Sequence, residues 1–266
     1  MEKLEGDDIQ KARHLFEDFE FYQAVIFSIF EGQYAGKIYT DSKVKPNWAI
    51  LHTPFLQHIV AGNPVTGCES IVEEVFFTNI VKGHNEKEVV AFFNKPEWNE
   101  ILRQIFEKHN GFSDARKIFG FSLENFEKLV PKPIPKDVQV VEEKCKTFPN
   151  AMIDTWSTKI IIDGKTVSYC NSIMVGNKKS EIDIWTEEKF QGKGYATMAS
   201  MSLINNLLKD GITPCWASWP YRIESQHIAQ KLGFIPEPDA TAWIWMEETE
   251  EKYGKKIALP DSPNSI

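Results

Sequence analysis

Six residues, Gln191-Gly192-Lys193-Gly194-Tyr195-Ala196, combine the types and spacing that hold an anion. They follow a strand-like run, Glu181-Ile182-Asp183-Ile184-Trp185-Thr186. They open a helix-like one in which Ala196, Ala199, Ser200, Leu203 and Leu207 recur at helical spacing. Two glycines let the backbone approach a ligand closely. The amides at a helix start then point at a bound anion, with the helix dipole behind them. The shape suits a pyrophosphate, with Lys193 as a charged supplement. It is neither the G-x-G-x-x-G of dinucleotide enzymes nor the Gly-Lys-Ser/Thr ending of nucleoside triphosphatases.

The strand before the loop offers acid–base chemistry. Glu181 and Asp183 alternate onto one face, with Ile182 and Ile184 on the other. Two carboxylates so placed raise one another's pKa toward the range of a base working near neutrality. Beyond the loop, Tyr221 and Ser225 are the nearest proton donors, with water as the alternative. Trp185, Trp216, Trp219 and Trp243 are candidates for a pocket wall, although a large aromatic core is the simpler use of eight tryptophans. The six histidines show no ligand or triad spacing. His227 reads as a surface residue. No G-x-S-x-G supports serine-hydrolase chemistry.

The elements that must position these residues are legible in outline. Ile9, Ala12, Leu15, Phe16 and Phe19 predict a first helix capped by Asp7 or Asp8, and Phe21 to Phe30 a second. Residues 36–41 and 48–52 predict two strands, and Trp98 to Phe106 a periodic helix ended by Asn110-Gly111. Arg116 to Phe121 reads as a strand and Leu123 to Val130 as a short helix. Pro131-Lys132-Pro133-Ile134-Pro135-Lys136 is the clearest punctuation in the chain and predicts a domain boundary. After it, Val138 to Glu142 is a strand. Lys159 to Tyr169 is a hairpin through Asp163-Gly164, and Gly176-Asn177 turns the chain into residues 181–186. The loop helix ends at Gly211. Pro214 to Trp219 is a strand, Ser225 to Leu232 a helix and Thr241 to Met246 a last strand. The acidic run Glu247-Glu248-Thr249-Glu250-Glu251 reads as a solvated helix face, and 252–266 carries no assignable structure.

Length and composition bound the rest. With 266 residues, 42% hydrophobic and 26% charged, the chain reads as one or two globular domains. A net charge of −8 argues against a nucleic-acid partner and is compatible with a cationic substrate. The polar N-terminus is not a signal peptide, and no stretch is apolar enough for a membrane span. Cys68, Cys145, Cys170 and Cys215 lack zinc spacing and read as thiols of a reduced, cytoplasmic protein.

The succession of strand, glycine loop, helix, strand, short helix and Leu232-Gly233-Phe234, with Lys231 before it, resembles the core of GNAT N-acetyltransferases over residues 138–246. The loop is similar to that family's Q/R-x-x-G-x-G/A signature. Residues 181–186 resemble the E-I-G-I-x-T strand of a two-part bacterial GNAT group, with Glu181 and Thr186 matching and Asp183 where glycine is usual. The N-terminal half is similar to that group's extra domain in Gly36-Lys37-Ile38-Tyr39-Thr40-Asp41 and in Ala61-Gly62. Three positions depart from the pattern. Arg222 stands where asparagine is common, Ala229 where a tyrosine often serves as general acid, and Gln191 where arginine is more frequent.

The resemblance implies an α/β (α+β) fold with a mixed, mostly antiparallel central sheet flanked by helices. It implies an N-terminal α/β accessory domain at 1–130 and a GNAT domain at 131–266. The cofactor would be acetyl-CoA, without a metal. Gln191, Gly192, Lys193, Gly194, Tyr195, Ala196 and Thr197 would hold its pyrophosphate. The backbone of Ile184, Trp185 and Thr186 would hold the pantetheine arm and polarise the acetyl carbonyl. Glu181 is the first choice as base because it matches the family position, with Asp183 in reserve. The partner would be a small-molecule or peptide amine, with no nucleic acid and no membrane, and the oligomeric state is left open. The alternatives are a non-catalytic CoA-binding sensor or scaffold, and a plain interaction module.

Overall fold

A computed structural model describes residues 1–131 and 133–248. The 252–266 stretch and most of the acidic run therefore lie outside the described residues. In chain order the strands and helices are β1 (Glu2–Leu4), α1 (Gln23–Phe30), β2 (Lys37–Thr40), β3 (Trp48–His52), β4 (Gln57–Gly62), α2 (Glu69–Glu73), β5 (Glu88–Phe93), α3 (Glu97–Lys108), β6 (Phe112–Phe121) and α4 (Leu123–Glu127). They continue as β7 (Val138–Cys145), β8 (Thr155–Ile162), β9 (Lys165–Gly176), β10 (Lys179–Thr186), α5 (Tyr195–Lys209), β11 (Thr213–Ser218), α6 (Ile223–Lys231), β12 (Phe234–Pro236) and β13 (Ala240–Met246). A tight 3₁₀ stretch covers Gly6–Leu15, and a wide π-type turn prolongs α2 over Glu74–Lys82. Asp7 and Asp8 lie inside the first turn of that 3₁₀ stretch and do not cap it; Glu5 occupies the cap position.

Two compact units share the chain. Unit 1 holds Met1–Phe21, Tyr34–Arg116 and the segment from Ala240, and unit 2 holds Tyr22–Gln33 and Lys117–Asp239. The division thus differs from a boundary at 131–136. Its reason is packing. Phe126, on α4, is buried in one cluster with Phe119, Ile204, Trp216, Ala229, Leu232 and Phe234, so the residues before the prolines belong to the same core as those after them. The prolines form a loop inside unit 2.

The sheet of unit 2 runs in the order β7, β8, β9, β10, β11, the 117–121 half of β6, and β12. Every pair is antiparallel except β10–β11. This is a mixed, mostly antiparallel sheet flanked by helices. Asp163 and Gly164 both take positive φ, 49° and 73°, as a two-residue turn matched to strand twist requires. Asn177 and Lys178, at 51° and 55°, make the second turn. Helix α5 buries Ala199, Leu203 and Leu207 against Val138, Ile160, Val167 and Cys170. Helix α1 packs on β9 and β10, where a Cβ at Gly176 would stand 2.3 Å from the Ser28 amide nitrogen, so no larger residue fits. The Gln33 side chain ties this segment to the sheet by accepting from the Val175 amide at 2.5 Å.

Unit 1 passes through a similar series. β1, β2, β3 and β4 form an antiparallel meander, and α2 with its continuation crosses to β5, which lies parallel to β4. β13 pairs with β5 and with the 112–116 half of β6. Its core joins Trp48, Phe76, Trp98, Phe106, Trp243 and Trp245. Trp243 donates to Asn99 Oδ1 at 3.1 Å, so this tryptophan belongs to the unit 1 core. All four cysteines are free thiols.

Candidate functional site

The site grows from one change of pairing. Strand β10 is paired with β9 along its whole length, from Lys179↔Gly176 to Thr186↔Ser168. With β11 it pairs only at Lys179↔Thr213, Ser180↔Pro214 and Glu181↔Cys215. From Ile182 to Thr186 it runs on without a β11 partner, while Trp216, Ala217 and Ser218 of β11 pair on their other side with β6. Backbone groups along that edge of β10 are available to a bound extended group. Ile182 and Ile184 pack with the residues around α5, which sends Glu181 and Asp183 to the opposite face.

The glycine loop follows directly. A short 3₁₀ turn, Glu188–Phe190, leads into Gly192 and Gly194, whose φ values of 73° and 88° exclude most side chains. Nothing lies within 4 Å of a Cβ built at either glycine, so the space above the loop is free. Gly194 begins α5 without a side-chain cap, and no acidic residue sits in the first turn. The amides of Tyr195, Ala196 and Thr197 have no preceding turn to bond. Lys193 carries its ammonium group 4.9 Å from the centre of the Phe190 ring, while Lys189, 5.2 Å from the same ring, is paired with Glu187 at 2.7 Å. This combination fits a pyrophosphate. Gln191 acts on the loop itself, since its side-chain amide donates to the Thr186 carbonyl at 3.3 Å and fastens the loop to the end of β10. Ser168 secures the same end, donating to the Trp185 carbonyl at 2.9 Å and meeting the Thr186 hydroxyl at 2.8 Å.

The acid–base candidates separate into two groups. Asp183 is half-buried beside Tyr169, whose hydroxyl is in hydrogen-bonding reach of its carboxylate. Burial pushes the Asp183 carboxyl up, and the Tyr169 hydroxyl and the Ile184 amide pull the other way. The Tyr169 phenol is pushed up to about 12, by burial first and by Asp183 next. The Tyr169 and Trp185 rings stack at 5.5 Å, leaving Trp185 the most exposed of these side chains at 43%. Glu181 stands where the parallel ladder ends, opposite Cys215. Burial, with Glu181 second, pushes that thiol well above its ordinary value.

The second group lies on β11 and α6. The Ser225 hydroxyl accepts from the buried Trp216 indole at 3.0 Å, and Tyr221 has the Arg222 guanidinium 5.6 Å from its ring centre. Ala229 is fully buried in the core, so α6 offers no phenol there.

Tyr169 escaped the sequence reading for a physical reason. Counting back from the Asn177-Lys178 turn places Tyr169 opposite Thr186, on the Ile184 face. The register shifts by one residue between Glu181 and Ile182, because β9 carries Ile173 as an extra residue. That bulge turns Tyr169 to face with Asp183 and Trp185.

Among the described residues no group of three or more His, Cys, Asp or Glu could hold a metal ion, and no helix is long and apolar enough to cross a membrane.

Unit 2 is thus an α/β fold whose mixed sheet opens one strand edge beside an uncapped glycine-loop helix. The sequence profile described as GNAT acetyltransferase matches residues 158–242, from β8 to β13, and this part of the chain is similar to that family. A Bacillus subtilis protein called uncharacterized N-acetyltransferase YdfB is 23% identical over 255 residues, 88% of this chain and 94% of that one. A GCN5-related N-acetyltransferase-like protein from Streptococcus suis has a TM-score of 0.66 at 19% identity, over 90% of this chain and 98% of that one. A tandem GNAT protein from the clavulanic acid biosynthesis pathway, solved without AcCoA, gives 0.63 at 10% identity, over 92% and 98%. At these identities the two structures speak for the fold. Acetyl transfer is the general reaction that the family supports.

Proposed function

We propose that unit 2 moves the acetyl group of acetyl-CoA to a primary amine by direct attack within a ternary complex. The observation that carries this reading is the departure of β10 from β11 after Glu181, next to the open amides of Gly192 to Thr197. Bound there, acetyl-CoA supplies an activated thioester. The loop amides and Lys193 hold its pyrophosphate. The edge of Ile184, Trp185 and Thr186, which has no β11 partner, aligns the pantetheine arm and polarises the acetyl carbonyl; preorganised donors of this kind are worth about 3–4 kcal/mol each in the transition state. A carboxylate, Glu181 or Asp183, takes a proton from the acceptor ammonium. Tyr221, Ser225 or water returns one to the leaving thiolate; the Ser225 oxygen accepts from the Trp216 indole and keeps its own proton to donate. The acceptor is a small-molecule or peptide amine, and the setting is cytoplasmic.

Calorimetric titration with acetyl-CoA tests the cofactor site. Wild type is expected to bind one equivalent in the micromolar range, and the Gly192→Val/Gly194→Val protein, folded by circular dichroism, to bind none. Folded wild type that fails to bind would remove the cofactor assignment. Binding without release of CoA to any of a panel of amines would favour a sensor instead, a reading that the buried Ala229 supports.

A further inference from the structure

We propose that Tyr169 is a positioning residue that holds Asp183, and that Asp183, rather than Glu181, is the carboxylate that receives the acceptor's proton. This rests on the transferase reading above. Three observations meet here. The bulge at Ile173 puts Tyr169 directly opposite Trp185 and diagonal to Asp183 on the same face of β9–β10. The Tyr169 ring stacks on Trp185 at 5.5 Å, and its hydroxyl is in hydrogen-bonding reach of the Asp183 carboxylate. Asp183 also sits past the end of the parallel ladder, on the stretch of β10 that has no β11 partner, whereas Glu181 is still inside that ladder.

Every element packed on β10 leaves Asp183 with few titratable neighbours. From β9 these are Tyr169 and, on the other face, the buried Cys170, whose thiol burial pushes up to about 12. Helix α1 carries no charged residue from Gln23 to Phe30, and from β11 the titratable group is Cys215, beside Glu181. The charged residue of α5 is Lys209, at the end remote from the loop. A carboxylate in such surroundings is raised by desolvation and steadied by one hydroxyl, which suits a group that must accept a proton near neutrality.

The step balances simply. An N–H bond of the acceptor ammonium breaks, and its proton forms an O–H bond on Asp183. The freed lone pair forms the new N–C bond at the thioester carbonyl. The C–S bond then breaks to leave CoA thiolate. A second N–H bond breaks as the nitrogen becomes a neutral amide, its proton passing to that thiolate, and the Asp183 proton passes to solvent. The exposed Trp185 ring beside the carboxylate gives an ammonium a second favourable surface.

The test uses the full chain and two independent readouts. Carbon-13 NMR of labelled aspartate, with Asp183 assigned by Asp183→Asn, reads the carboxylate directly. Tyr169→Phe keeps the ring stack and removes the hydroxyl, so Asp183 is expected to titrate about one pH unit higher than in wild type. The second readout is CoA release from acetyl-CoA with a panel of small primary amines. There the acid limb of the rate profile should move upward by the same amount in Tyr169→Phe. Asp183→Asn should lose about 100-fold in kcat at unchanged acetyl-CoA affinity. In the Asp183→Asn background Tyr169→Phe should change nothing further, which a merely structural role would not produce. An unmoved Asp183 titration, or full activity in Asp183→Asn, overturns the proposal while leaving the transferase reading intact. Failure of wild type to bind acetyl-CoA, or to release CoA with any amine, overturns that reading and the proton-acceptor role with it. The NMR titration still decides whether Tyr169 holds Asp183.

Discussion

In unit 2 the strand before the crossover helix pairs with its parallel neighbour from Lys179 to Glu181 and then runs on alone to Thr186. In unit 1 the corresponding strand, β4, is paired with β5 from Gln57 to Val60, and Ala61 and Gly62 end it. The turn after β4 is also closed. A Cβ at Gly62 would stand 2.3 Å from the Asn47 carbonyl oxygen, and the Trp98 indole donates to the Gly62 carbonyl at 2.9 Å. The helices that follow differ too. Helix α2 opens with Glu69 in its first turn, where a carboxylate repels a phosphate and satisfies the dipole itself, whereas α5 opens bare. A sheet of this topology therefore does not make a ligand site on its own. The ladder must end early, and the helix start must be left without caps or acids.

The largest way to break the comparison is to cut the chain. If unit 2 were contiguous, residues 131–266 would fold alone. They lack Phe119, Phe121 and Phe126 of the core around Trp216, and they lack α1, which covers β9 and β10. Each large buried side chain lost from a core costs about 3–5 kcal/mol, and two such losses exceed the stability of many domains. The fragment is expected to show no cooperative thermal transition by circular dichroism. A cooperative melt would place the functional boundary at the prolines after all.

The same packing explains how far the sequence could be read. The glycine loop, the Asp163-Gly164 turn and the helix from Tyr195 are local, and local spacing found them. Helix α2 with its π-type continuation, and strand β5, are missing from the sequence reading, although the buried Val72, Val75, Phe76 and Ile80 recur at i, i+3, i+4 and i+8 as a helix face does. The division at Arg116/Lys117, in the middle of the continuous strand β6, carries no punctuation because the chain neither turns nor loosens there. The prolines, by contrast, are conspicuous and mark only a loop. In the site the glycine loop was legible as a loop before a helix and the acid–base geometry was not. A one-residue bulge on β9 decides which side chains share a face with Asp183.

A smaller effect separates the units by pH. His227 is the one histidine of unit 2, whereas unit 1 sets the His52 ring 4.4 Å from His84 and 5.0 Å from the fully buried His58, tilted to both. Burial, then the His84 and Lys37 charges, lowers His52 to about 4, and His58 is pushed well below its ordinary value. Folding therefore excludes protons that the unfolded chain binds. The stabilisation is fully present above about pH 6.5 and is lost as pH falls toward 4, by about 3 kcal/mol for His52. Thermal melts across that window should decline more steeply for wild type than for His52→Gln. Parallel slopes would show that the histidines are solvated and do not distinguish unit 1.

The finest adjustment concerns the turn that closes unit 1. Trp98→Phe keeps a ring against Trp48, whose ring lies 6.1 Å away, and leaves the Gly62 carbonyl without its indole donor. An unsatisfied buried acceptor costs about 1–3 kcal/mol, so the thermal midpoint should fall by a few degrees. Acetyl-CoA affinity should be unchanged, since Trp98 belongs to the core of unit 1. Stoichiometry is the sharper readout. If the indole were all that closed this turn, removing it would raise acetyl-CoA binding from one equivalent to two. One equivalent is expected to remain, because the paired β4 edge and the Glu69 carboxylate at the start of α2 would still bar a pyrophosphate.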